Sequence, residues 1–261
     1  MGAAMSLRQQ AIGFATLSHK ELVRVLRIWP QTILPPAINM GLYFVIFGNL
    51  IGGRIGRMDG FDYKQYIAPG LIMMAVITNS YGNVVSSFFS AKINRFLEEL
   101  LVAPMANVTI VLGHMAGGII RGLLVGLAVT GVARLFTPLP FAHPLITITV
   151  FLLCASLFSL AGLINGIVAR NFDDVTIIPS FVLQPLVYLG GVFYSISLLP
   201  ELAQTLSRLN PILYLVNAFR YGMLGVSDVP IGGAYLMMVV SVAVLFAICV
   251  ALLRSGFRIR D

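Results

Sequence analysis

Apolar and polar positions fall along this chain in long blocks rather than in alternation. Solidly apolar runs cover about 30–50, 67–90, 108–136, 145–169, 175–194 and 232–253, each bounded by a few charged residues or by glycine and proline. A bilayer-crossing helix needs roughly 20 mostly apolar residues, whereas a transmembrane barrel shows residue-by-residue alternation. The pattern predicts an all-α polytopic membrane protein whose six transmembrane helices form one domain over 30–254.

The segments between the runs have characters of their own. Residues 11–29, AIGFATLSHKELVRVLRIW, place Phe14, Leu22, Val25 and Trp29 on or near one helical face and gather His19, Lys20, Arg24 and Arg27 elsewhere. That spacing predicts an interfacial amphipathic helix with a basic side, so 1–29 reads as a cytoplasmic, interfacial segment and 255–261 as a short tail. Lys20, Glu21, Arg24 and Arg27 interrupt any apolar core before it reaches useful length, so no cleavable signal peptide is expected. Residues 52–66 form a polar, glycine-rich loop, with Tyr63 and Tyr66 near a membrane boundary where aromatic rings prefer to sit. In 196–228, Glu201 and Arg208 stand among apolar residues at helical spacing, and ILYLVNAFRYGMLG is too short to cross before Arg220. Stretches of this size are expected to be re-entrant or interfacial.

Composition narrows the class. Charged residues make up 10% of the chain and hydrophobic residues 58%, with mean hydropathy +0.93, against ~25% charged in soluble domains. The net charge of +7 fits attraction to anionic headgroups and membrane topology rather than nucleic acid. With six spans both termini share a side, and that side holds ten of the 17 basic residues: Arg8, Lys20, Arg24, Arg27, Lys92, Arg95, Arg170, Arg254, Arg258 and Arg260. Six others (Arg54, Arg57, Lys64, Arg134, Arg208 and Arg220) lie opposite, which favours cytoplasmic termini. Cys154 and Cys249 fall inside apolar runs, as small buried hydrophobes do. None of the three lysines follows a glycine as the phosphate-cradling GxxxxGK[ST] requires, and HExxH is absent. A nucleotide-driven engine would sit on another chain.

A few residues carry candidate chemistry. In NRFLEELLVAP (94–104), Phe96, Leu97, Leu100 and Leu101 follow helical spacing, so one face can lie against the membrane while Arg95, Glu98 and Glu99 project and Pro104 stops the helix. This reads either as a solvated loop or as a handle for a soluble partner. Asp173 and Asp174 ahead of VTIIPSFVL read as helix-capping carboxylates or as a second contact. Gly113, Gly117 or Gly118, Gly122 and Gly126 form a small-residue ladder, expected to pack helices within one subunit before any dimer seam. Arg121 lies about 13 residues into its run, roughly 20 Å deep. An arginine there either lines a path, binds a lipid headgroup or is buried structurally. His114 is a lone, packed histidine.

ELLVAP followed by an apolar span resembles the signature of type-2 ABC exporter permeases, and NFDDVTIIPSFVLQPLVYLGGVFYSISLLP (171–200) and LNPILYLVNAFRYGMLG (209–225) continue the resemblance over nearly the whole chain. It implies that 91–107 holds a cytoplasmic coupling helix whose Arg95, Glu98 and Glu99 face an ABC ATPase, with Asp173 and Asp174 at a smaller second contact. It also implies that 196–228, with Glu201, Arg208 and Arg220, forms external re-entrant helices that close an outer gate. The expected assembly is a homodimer with two ATPase copies in a bacterial inner membrane, in contact with lipids and not nucleic acid. ATP and Mg would be held by the ATPase, and no catalytic site, cofactor or metal is expected on this chain. The substrate would be amphiphilic, lipid-linked or drug-like, moved outward. The rivals are a gradient-driven transporter or channel, which needs ionisable groups at mid-depth, and a lipid-modifying enzyme built on the paired acids.

Overall fold

The computed structural model describes residues 6–103 and 105–257, and these are helical almost throughout. Helix α1 (Leu7–Arg27) opens on a reciprocal cap, in which Ser6 Oγ accepts the Gln9 N–H and Gln9 Oε1 accepts the Ser6 N–H. After one residue α2 (Trp29–Tyr43) begins, passes through a π-helical stretch, Phe44–Ile51, and ends in α3 (Gly52–Ile55). A hairpin of β1 (Arg57–Met58) and β2 (Phe61–Asp62) turns at Asp59 and Gly60, whose φ angles of 49° and 85° are those that a tight two-residue turn demands. Next come α4 (Tyr63–Ile93), the short α5 (Phe96–Val102), α6 (Asn107–Phe136) and α7 (Pro144–Val168). Then α8 (Phe172–Ile178), a π-helical Pro179–Leu183 and α9 (Gln184–Tyr188) run on as one helical rod, followed by α10 (Glu201–Arg208), α11 (Pro211–Leu224) and α12 (Ile231–Ser255).

Among the described residues, five helices are long and apolar enough to cross a bilayer: Trp29–Ile55, Tyr63–Ile93, Asn107–Phe136, Pro144–Val168 and Ile231–Ser255. The apolar run at 175–194, expected as a sixth, takes a different form. Its three helical segments have seven, five and five residues, roughly 25 Å at 1.5 Å per residue, before the chain turns through Gly191 at φ 71°. The π-helical middle coincides with Pro179 and Pro185, each of which removes a backbone donor. The Val175 carbonyl, four residues before Pro179, is taken up instead by Asn165 Nδ2 at 3.2 Å.

The hub is α4, which packs along α6 and α7 and, over its first half, on α11. The glycine ladder of α6 serves two neighbours. A Cβ at Gly118 would overlap Ser159 and Val84, and one at Gly126 would lie 2.5 Å from Phe151, so this face seats α4 and α7. Gly113 and Gly117 instead admit α1, where an added Cβ would lie 2.7 Å from Leu17 and from Glu21 respectively. Packing within one chain is thus what the ladder does here.

Gln10, Leu17 and Glu21 stand beside Ala106, Gly113 and Gly117, a constant register of 96 residues held from the Gln10–Ala106 hydrogen bond upward. The first turns of α1 and α6 therefore run parallel. The buried stripe of α1 is Leu17, Glu21 and Val25, while Phe14 and Trp29, read as part of an interfacial apolar face, are 39% and 52% exposed. The glycines of α6 select which stripe docks, and the larger apolar side chains are left facing outward.

The molecule has a proximal end, carrying α5 and the starts of α1, α6 and α8, and a distal end, carrying the hairpin, α10 and α11. A smaller core at the proximal end joins Phe88, Leu97, Ile110, Leu163, Ile167 and Leu253. The larger core extends distally around α4 and α11.

Candidate functional site

Three places gather the residues singled out by sequence. At the proximal end, α4 stops at Ile93 and the chain pivots through Arg95, held in the left-handed conformation at φ 61°. This lets α5 leave at an angle. Leu97 is 1% exposed and plugs the proximal core, whereas Phe96 is 54% exposed. Burying one leucine is worth about 1.5–3 kcal/mol, enough to anchor a seven-residue helix that could not persist alone. The anchoring face therefore packs on protein, through Leu97. The Arg95 and Glu99 side chains are exposed; the Glu98, Leu101 and Val102 side chains and Pro104 lie outside the described residues.

The far side of α5 is tied to α1. Gln10 Oε1 accepts the Ala106 N–H at 3.1 Å and the Thr109 hydroxyl at 2.6 Å. Lys92 donates to the Ile167 and Ala169 carbonyls at 3.0 and 2.8 Å, closing the end of α7, and Phe89 meets Phe172 edge to face at 5.1 Å. These contacts bring α5 and the start of α8 to one end of the molecule. There Asn171 Oδ1 accepts the Asp174 N–H and Asp174 Oδ2 accepts the Arg170 N–H, both at 2.8 Å. Asn171 is thus the cap and Asp174 its reciprocal partner, while Asp173 projects freely enough to be exposed.

Mid-way along the molecule, a cavity of about 310 Å³ opens between α2, α4, α6 and α9. Arg121 lines it, together with Gln31, Asn39, Thr78, Asn79 and Gln184. Arg121 Nη2 donates to Asn79 Oδ1 at 3.3 Å.

The distal end separates three residues that sequence had grouped. Glu201 and Arg208 are exposed on α10. Arg220 is 1% exposed within α11, where it donates to the Gly191 carbonyl at 2.6 Å and to Asn217 Oδ1 at 3.4 Å. Its guanidinium carbon lies 4.1 Å from the Tyr66 ring centroid. Asn217 Oδ1 also accepts the Asp228 N–H, and the Asp228 carboxylate accepts Ser195 Oγ at 2.7 Å and the Ile196 N–H at 3.1 Å. Arg220 is thus the centre of a network that fixes the 190–198 loop, α4 and α11 to one another. Asn210 caps α11 ahead of Pro211, and Gly225 ends it at φ 78°.

A fourth cluster escaped the sequence reading. Glu21 is 2% exposed, accepting Ser87 Oγ at 2.5 Å and Arg24 Nη2 at 2.7 Å. Arg24 also donates to Asn83 Oδ1 and to the Asn83 carbonyl at 2.8 and 3.1 Å. Burial pushes the Glu21 carboxyl up, but Arg24, Ser87 and the neighbouring His114 outweigh it and hold the carboxyl below its ordinary value. The signal was the stripe Leu17, Glu21, Val25, which puts a carboxylate between two core positions. His114 is buried, within 3.0 Å of the Ile110 carbonyl and edge-on to Phe88. Among the described residues, no three His, Cys, Asp or Glu side chains converge as a metal site would require, and both cysteines are free and buried.

Comparison with known proteins adds a lineage to this geometry. The profile of the ABC-2 type transporter family matches residues 13–224. The chain is 53% identical to the inner membrane transport permease YadH of Escherichia coli, over 93% of this chain and 94% of that protein. It is 30% identical to nodulation protein J of Sinorhizobium fredii over 79% and 77% of the two chains, and 25% identical to that of Rhizobium leguminosarum bv. viciae over 82% and 83%.

Proposed function

Because the chain belongs to the ABC-2 type transporter family, we propose that it is the membrane-spanning permease of an ATP-driven exporter, working as a homodimer with two copies of a separate ATPase. Members of this family generally pair with an ATP-binding subunit, and ATP and Mg would be bound there. In this reading the protein lies in a bacterial inner membrane with both termini cytoplasmic. The proximal end faces the cytoplasm, and the 172–188 rod supplies a sixth crossing. The substrate is amphiphilic, lipid-linked or drug-like and moves outward.

The observation that carries the reading is α5. It sits at the ELLVAP signature, is seated by Leu97 and pivots on Arg95. Arg95 and Glu99 are exposed at the same end as Asp173. Charged groups at a rim give docking specificity more than raw affinity, as a contact that rocks without dissociating requires. ATPase closure would push α5 and, through the Lys92 and Gln10 ties, the proximal ends of α7 and α1. Glu201 and Arg208 on α10, with α11 behind the Arg220 network, would form the external gate region.

The test is affinity purification of the chain from its native membrane in mild detergent, with mass spectrometry of what accompanies it and an ATPase assay. A stoichiometric nucleotide-binding protein that is lost on Glu98→Arg with Glu99→Arg, while membrane insertion persists, is the expected result. Transport or co-purification unchanged by that double reversal refutes the coupling role.

A further inference from the structure

Resting on the permease reading, we propose that the cavity around Arg121 is a subsite for the acidic head of an amphiphile, whose apolar chain leaves between α2 and the 172–188 rod. Arg121 stands at the middle of α6, with fourteen helical residues before it and fifteen after. A cation at such depth is costly and ordinarily finds a partner. Among the described residues its charge has no carboxylate opposite it, since the ion pair there is Arg24 with Glu21 at 2.7 Å. Its hydrogen bond to Asn79 is long, and Asn79 is a neutral acceptor. Asn79 itself is oriented, because its Nδ2 donates to the Ala75 carbonyl at 2.9 Å and so turns Oδ1 toward the guanidinium. The arrangement positions the cation without neutralising it.

Arg220 shows what a structural arginine looks like in the same protein. It is 1% exposed, closed over by the Tyr66 ring and bonded to the Gly191 carbonyl at 2.6 Å. Arg121 is only half-buried and borders a cavity whose other lining residues are all uncharged. A volume of about 310 Å³ accommodates a compact polar head and not a whole lipid. Beside the cavity, α2 exposes Leu34, Ile38 and Leu42, and the 172–188 rod exposes Phe181 and Val182. An acyl or isoprenoid chain would lie there while a phosphate or carboxylate took two of the guanidinium donors, as planar forks do. A cationic or uncharged head gains nothing from this geometry.

The probe is a matched pair, lysophosphatidate and the monoacylglycerol with the same acyl chain, titrated onto the purified chain in nanodiscs of neutral phosphatidylcholine. The wild type is expected to prefer the acid by about tenfold or more, the range of a charge-assisted hydrogen bond. Arg121→Gln should erase the preference and Arg121→Lys should retain part of it. Asn79→Asp supplies an internal counter-ion, so it should erase the preference with Arg121 still present and the fold intact. A wild type with no acid preference, or a preference that survives both Arg121→Gln and Asn79→Asp in folded protein, overturns the assignment. Binding to the isolated chain needs no ATPase, so failure of the permease reading, seen as no co-purifying ATPase, is read separately. With the ATPase present, release of bound lysophosphatidate on adding ATP identifies cargo and retention identifies a resident lipid, and either supports an acidic-head site.

Discussion

The buried Glu21–Arg24 pair makes a sharp prediction about what holds α1 to the bundle. Glu21→Gln keeps the shape of the side chain and one neutral hydrogen bond but removes the charge that receives Ser87 and Arg24. A hydrogen bond to a charged group contributes about 1.5–3 kcal/mol and a neutral one about 0.5–1.5. Two charged bonds are reduced to one neutral bond, but the Arg24 side chain is 30% exposed and water recovers part of the loss. The expected cost is about 2 kcal/mol, which at about 2–4 °C per kcal/mol for a chain of this size lowers Tm by about 4–8 °C. Cys154 and Cys249 are both fully buried, so a thiol-reactive dye reports unfolding in detergent without added labels. Arg24→Gln should cost somewhat less. The double variant should fall short of the sum by at least about 1 kcal/mol, because each single change strands the other partner. The pH dependence has a definite sign. The folded carboxyl lies below its ordinary value of 4.5, so its contribution is complete above that value and is lost as pH falls through the lower, folded one. The gap between wild type and Glu21→Gln should be constant near neutrality and close in acid. Additive single effects, or a gap that closes between pH 7 and 6, would refute the latch.

The remaining predictions use the same melt. Gly117→Leu drives a side chain into Glu21 and should destabilise by about 1–3 kcal/mol, as overpacking does; a neutral result would show that α1 is not held in this register. Asn165→Leu leaves the Val175 carbonyl without its donor and should cost about 1–3 kcal/mol, with the loss absent once Pro179→Ala restores the helical donor. Arg220→Met removes the centre of the distal network and leaves the buried Gly191 carbonyl without its donor, which should cost about 1–3 kcal/mol, whereas Arg208→Met on exposed α10 should stay within about 0.5 kcal/mol.

The spans were legible because a bilayer forces helices to be continuously apolar, and the short helix α5 because Leu97 and Leu100 repeat at helical spacing. The 172–188 rod was legible as apolar but not as π-helical in its middle, where Pro179 and Pro185 remove backbone donors. Asp174 was expected to help cap its helix and does, although the cap itself is Asn171, whose Oδ1 accepts the Asp174 N–H three positions on. The partners of Arg220 were not legible in sequence, since Gly191 and Tyr66 arrive from 29 positions away and from another helix. Glu21 was hidden for a related reason. A carboxylate three residues from an arginine on an amphipathic helix ordinarily marks a solvated face, and only the glycines of α6 turn that face inward.

In the proposed exporter, the tie made by Gln10 bears on the load against which α5 would move. At one side of α5 a single residue, Arg95, serves as pivot; at the other, Gln10 fastens the chain to α1 at Ala106 and Thr109. A displacement of α5 is then shared with α1, whose Phe14, Val23, Leu26 and Trp29 point away from the protein. Those side chains would be dragged through the headgroup layer at every stroke. In the proposed exporter, the viscosity and curvature of the surrounding membrane would thereby act as a brake on the cycle, applied through the N-terminal helix.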